Sequence, residues 1–190
     1  ALITTQRKAF HAALLESILT LSADDVPSNS DKHNQASVKI ARELYRRIDV
    51  GAGRVAERLP GQSSGHKFEA ICQQFLKSTF LHFDHLRPGR WVVKQVTGRS
   101  HSASAENEQY AHLEDLARAA KQDKILAASL GNDYSISPDV VIQRLPEPDD
   151  VINATDYRIV DSSVANHSTL RDVVTTLPTW HAIVSCKWTI

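Results

Sequence analysis

Phe10, Leu14, Ile18 and Leu21 recur at intervals of four, four and three, the spacing that lines one face of an α-helix, so an N-terminal helix is expected with that stripe on the core. Residues 22–34, rich in Ser, Asp and Asn and containing Pro27, read as a loop. A second helix carries Val38, Ala41, Tyr45 and Ile48, with Gly51 and Gly53 expected to end it. The turn-rich stretch 59–65 offers Ser63 or Ser64 as a cap for a third helix bearing Phe68, Ile71, Phe75 and Thr79. After the Pro88-Gly89 turn signal, Trp91 to Val96 is a short β-prone run, and Tyr110, Leu113, Ala117 and Ala120 mark a further amphipathic helix. Val140-Val141-Ile142 reads as a buried strand behind Pro138-Asp139. Residues 146–150 read as a loop, Tyr157 to Val160 as another strand, and the closing strand starts near Trp180. Helices followed by clustered strands predict an α/β domain with a central mixed β-sheet flanked by helices.

At 190 residues the chain is long enough for one substantial core, and a single domain over 1–190 is expected. Lys plus Arg and Asp plus Glu both total 22, so any attraction for a polyanion has to be local. Cys72 and Cys186 lie in apolar sequence without a CxxC spacing, which suits reduced thiols in a cytoplasmic protein. No apolar run approaches the roughly 18 residues that span a bilayer, so no membrane partner is expected. The chain contains no Met, starts at Ala1 and stops at Ile190 straight after an apolar run; it reads as a piece of a longer protein.

Candidate chemistry sits on the last strand. Alternation sends Ser185 and Lys187 to one face and Val184, Cys186 and Trp188 to the other, which sets a lysine beside core residues. A buried ammonium needs an anionic partner, and Asp139 at the mouth of another strand is a plausible one. Asp139 followed by Ser185-Cys186-Lys187 resembles the PD...(D/E)xK nuclease signature, with serine at the middle acidic position.

A longer correspondence adds to this motif. The block Glu57-Arg58-Leu59-Pro60-Gly61-Gln62-Ser63-Ser64-Gly65, followed by Phe68-Glu69-Ala70-Ile71-Cys72, resembles the NgoMIV-type type II restriction endonucleases. Arg87-Pro88-Gly89, Val93-Lys94-Gln95-Val96, Gln109-Tyr110-Ala111-His112-Leu113, Pro138-Asp139 and the run from Val184 to Ile190 are similar to that family's segments, in the same order. The resemblance implies a restriction-endonuclease-like core and a Mg²⁺-dependent enzyme that cuts double-stranded DNA within a short palindrome of the GCCGGC class. It further implies a homo-oligomer, dimer or tetramer. By the same resemblance Asp139 is the metal-binding aspartate, Lys187 the catalytic lysine, Ser185 the serine of the variant motif and Glu69 a helix-borne catalytic glutamate. Gln62 matches a DNA-contacting glutamine, and Arg58, Ser63 and Lys94 join it as candidate DNA contacts. The carbonyl of Cys186 could complete the metal shell by hard oxygen ligation.

In that family the acid absent from Ser-x-Lys, and the main base-reading Arg/Asp cluster, follow the lysine strand. With the chain ending at Ile190, an incomplete metal site and no specific cleavage by this polypeptide alone are expected. The rival reading is therefore a catalytically incomplete nuclease-fold module that binds DNA or its own copies. The stretch from Arg87 through Arg90 and Lys94 to Arg99, with no acid between Asp84 and Glu106, is the best local basic segment for phosphate contacts. His82 and His85 are expected to be surface histidines. Trp91, Trp180 and Trp188 are expected to be core or edge aromatics.

Overall fold

The computed structural model describes residues 2–52, 64–96, 104–131, 138–154 and 157–188. These fall into two compact units, 1–83 with 186–190 and 84–185.

The first unit holds three helices: α1 (Leu2–Ser17), α2 (Gln35–Ala52) and α3 (Ser64–Phe80). Its core gathers Leu14, Leu15, Ile18, Leu19, Tyr45 and Ile48. The α1 helix stops at Ser17, so Ile18 and Leu21 leave the expected stripe as chain beyond the helix. Ile18 stays buried, because the Ser28 hydroxyl donates to its carbonyl at 2.8 Å and satisfies the polar group that the helix no longer covers. Asn34 caps α2, its side-chain oxygen accepting from the N–H groups of Ala36 and Ser37 at 3.0 and 3.2 Å. Gly51 does not end that helix. It lies within the last turn, where the His11 ring fills the space that a Cβ would take. Gly53 lies outside the described residues. Phe10 meets Phe75 of α3 at 4.9 Å between ring centroids, and Phe68 meets Trp188 at 5.1 Å, so Trp188 packs in this unit as a core aromatic.

The second unit is built on a sheet in the order β1 (Trp91–Gln95), β2 (Val140–Arg144), β3 (Thr179–Val184). Both pairings are antiparallel, so among the described residues the expected mixed sheet is an antiparallel one. The run expected as a strand at Tyr157–Val160 is not one. The Asn153 side chain accepts from the N–H groups of Ile159 and Val160 at 2.8 and 3.1 Å and donates to the Val160 carbonyl at 2.7 Å. Backbone groups that a ladder would have paired are thus already taken. The loop expected at 146–150 gives way at Asp149 to a short helix, Asp149–Ile152.

Central strand β2 is buried on both faces: Val140, Val141, Ile142 and Gln143 are all inside, which accounts for its unbroken apolar run. Gln143 survives there because its amide donates to the buried Asn107 side chain at 2.5 Å. Helix α4 (His112–Gln122) leads into α5 (Lys124–Leu130), which Asp123 caps by accepting from Ile125 and Leu126. Just before α4, Gln109 holds β3 by a paired amide, donating to the Trp180 carbonyl at 2.8 Å and accepting from its N–H at 3.0 Å. No described helix is long and apolar enough to cross a membrane.

Candidate active site

Asp139 is placed by the ladder at one end of the sheet. Its N–H donates to the Val184 carbonyl at 3.2 Å and its carbonyl accepts from the Val96 N–H at 3.0 Å, so its backbone is tied to both neighbouring strands. The next pairs inward are Gln95 with Val140 and Val140 with Val184. Continuing that register sets Ser185 opposite Asp139, and the Ser185 hydroxyl donates to the Asp139 carboxylate at 3.3 Å. Asp139 is half-buried and Ser185 exposed. The result is a carboxylate and a hydroxyl at the mouth of one pair of strands, open to water on one side.

Lys94 joins this end from β1. It pairs with Val141, two residues from Asp139, and alternation puts it on the Asp139 face. Its ammonium lies 3.0 Å from Glu106, with both side chains at least half exposed, an ion pair worth under about 1 kcal/mol. Lys94 and Glu106 border a cavity of about 170 Å³ whose wall includes Val96, Asn107, Gln143 and Trp180.

Of the other expected site residues, Glu69, Cys186 and Lys187 belong to the first unit. Glu69 is half-buried on α3 in the first unit. Strand β3 closes at Val184, so Ser185, Cys186 and Lys187 follow it instead of lying within it. The alternation of inward and outward side chains nevertheless runs on to Trp188, with Cys186 half-buried and Lys187 exposed. Lys187 is therefore solvated, not buried beside the core, and avoids the desolvation cost of a buried ammonium. Cys72 and Cys186 are not in a disulfide. Arg58, Gln62, Ser63 and Arg99 lie outside the described residues. His82 and His85 are exposed, as expected.

Among the described residues no three His, Cys, Asp or Glu side chains are arranged to hold a metal ion. The donors at the Asp139 end are oxygens, a carboxylate with a neighbouring hydroxyl. That set suits a hard cation such as Mg²⁺, which takes one or two carboxylates and keeps several waters.

Residues 10–190 match the family described as NgoMIV restriction enzyme. The chain belongs to the NgoMIV restriction enzyme family. One curated protein similar to it is the type II restriction enzyme NgoMIV of Neisseria gonorrhoeae, 43% identical over all 190 residues. The chain spans 65% of that relative's length. Membership of the NgoMIV restriction enzyme family gives the Asp139 and Ser185 pairing a context that geometry alone lacks. Sequence reasoning missed Glu106 as the partner of Lys94, twelve positions on, because nothing in the local spacing marks two residues that only the folded second unit brings together.

Proposed function

We propose that this chain carries the phosphodiester-cleaving end of a Mg²⁺-dependent type II site-specific deoxyribonuclease. Its substrate is double-stranded DNA at a short GC-rich palindrome of the GCCGGC kind, and it works in the cytoplasm as a homo-oligomer, dimer or tetramer. The observation that carries this reading is the Asp139–Ser185 hydrogen bond at the ladder-fixed end of β2, in a chain of a restriction enzyme family.

Each residue has a task that its chemistry allows. Asp139 would offer a hard oxygen ligand to Mg²⁺, the Cys186 carbonyl being the second that the family resemblance implies, and the Ser185 hydroxyl orients the carboxylate by donating to it. A bound magnesium ion supplies charge stabilisation at the phosphoryl oxygens. Lys187, exposed to solvent, would offset phosphate charge and position the attacking water as the ammonium, or deprotonate that water as the neutral amine. By the family resemblance, Glu69 is assigned the steering of a water. Arg58, Gln62, Ser63 and Lys94 contact the DNA. For Lys94 this means sharing its ammonium between Glu106 and a phosphate, or exchanging one for the other.

Incubating a protein that contains this chain with plasmid bearing a single GCCGGC site tests the reading. Cutting confined to that site, present with Mg²⁺ and abolished by EDTA, is the expected result. Undiminished cutting in EDTA would refute it. Tight duplex binding without cutting in Mg²⁺ would assign the chain to a DNA-binding module.

A further inference from the structure

Strand β3 carries an irregularity where it meets β2. Ile142 pairs with Ala182 and Gln143 with Trp180, so His181 is left with no residue opposite it. An extra residue of this kind turns a side chain out of the regular alternation, and bulges of this type recur beside binding sites. Here the re-aimed imidazole meets Trp91 edge-on at 4.8 Å, and the Arg87 guanidinium lies against its Nε2. Arg144, at the end of β2, sets its guanidinium 5.2 Å from the centre of the same Trp91 ring. The approach of Arg144 depends on Gly89, whose φ of 144° is strained for other residues and where a Cβ would stand 2.7 Å from that guanidinium.

The Arg144 guanidinium and the His181 imidazole thus flank one indole, and the Arg87 guanidinium lies against that imidazole. Buried Glu147 pairs with Arg144 at 3.2 Å. Among the described residues positive charge is in excess at this group. Like charges gathered at a partly exposed surface repel one another unless an anion shares them, and guanidinium forks match the oxygens of a phosphoryl group. We propose that Arg87, Arg144 and His181, seated around Trp91, form a second anion site that takes a phosphoryl group.

This site is separate from the Asp139 end. Trp91 and Arg144 pair at the opposite end of β1 and β2, roughly 15 Å along the strands, and on the other face. An anion held there is not the phosphate under attack, so the site stands or falls independently of the nuclease reading. Burial and the neighbouring Arg87 and Arg144 charges hold the His181 pKa below the usual imidazole value. A phosphoryl anion would oppose both arginine charges and favour the imidazolium, which then donates to the anion instead of accepting from Arg87. Anion binding therefore takes up a proton at His181.

The two sources of such a group are a free phosphate and a nucleic-acid backbone, and one experiment separates them. His181 ring resonances, identified by their loss in His181→Gln, are followed by NMR in the 190-residue chain. Inorganic phosphate is titrated in, and separately a short DNA duplex, at constant chloride. The site predicts that phosphate shifts these resonances and raises the His181 pKa. Arg87→Gln should weaken that response about tenfold or more, and Arg118→Gln, on the exposed Arg118–Asp115 pair of α4, should leave it unchanged. A duplex that produces the same shift makes the ligand a backbone phosphate; a response to phosphate alone makes it a free anion. Calorimetry of phosphate binding to His181→Gln, with loss of affinity expected, covers the case in which Arg87→Gln folds poorly. No shift with either ligand, or a shift that Arg87→Gln leaves intact, would overturn the proposal.

Discussion

Asp139→Ala in an active nuclease carrying this chain is expected to lower Mg²⁺-dependent cleavage by on the order of a thousandfold or more, while duplex binding in Ca²⁺ persists. The magnitude follows from what is removed. Loss of one preorganised electrostatic group in an active site costs roughly a hundred- to a thousandfold, and Asp139 is the carboxylate on which the proposed metal depends. The fold should tolerate the change, because Asp139 is tied to its neighbours through backbone N–H and carbonyl groups that alanine keeps. Lys187→Ala should give a loss of similar size without a change in stability, since the side chain is exposed. Single-turnover cleavage on a one-site duplex, paired with a gel-shift assay in Ca²⁺, measures both quantities. Cleavage retained to within tenfold in Asp139→Ala would remove this aspartate from the chemistry.

Glu147→Ala is expected to destabilise the second unit by about 3 kcal/mol, near the lower end of what breaking a buried ion pair costs. Glu147 is 3% exposed, and one carboxylate oxygen accepts from the Arg90 N–H at 3.1 Å and from the Arg144 guanidinium at 3.2 Å. Its backbone is engaged as well, donating to the Leu170 carbonyl at 2.8 Å and accepting from the Asp172 N–H at 3.1 Å. One residue therefore joins the start of β1, the end of β2 and the segment that precedes β3. Alanine leaves the backbone contacts but strips the Arg90 N–H and a mostly buried guanidinium of their acceptor. Glu147→Gln keeps an oxygen acceptor and should cost less. Urea denaturation of the two variants checks this order, and a cost under about 1 kcal/mol for Glu147→Ala would show that Arg144 does not depend on the carboxylate.

Much of the fold was legible in the sequence because its elements bury continuous stripes. Ala41, Tyr45 and Ile48 are all buried on α2, and Val140 to Ile142 form the inner strand, as their spacing implies. What could not be read locally was decided by single side chains acting on the backbone. Asn153 occupies the polar groups of Ile159 and Val160 and cancels a strand that their β-branched character favours. The extra residue at His181 is invisible to an alternation argument, which assumes an unbroken ladder. At the candidate site, the motif joined Asp139 to the Ser185–Lys187 run, but the partner expected for its carboxylate was Lys187; the Ser185 contact follows from the strand register, which local sequence does not show. Lys187 was misread as buried because alternation assigns a face but says nothing about whether that face is covered. The cationic cluster around Trp91 draws on three separate segments, and only the folded second unit assembles it.

The central claim is that the sheet end where Asp139 precedes β2 and Ser185 follows β3 holds the metal. Mn²⁺, which shares the oxygen-ligand preference of Mg²⁺, tests it directly as a paramagnetic probe of the isotope-labelled chain. Substoichiometric Mn²⁺ should broaden the backbone amide signals of Asp139, Val140 and Ser185 first, and Asp139→Ala should abolish that broadening. Equal broadening in the variant, or selective broadening at the Asp149 and Asp161 carboxylates with the β2 end untouched, would contradict the assignment.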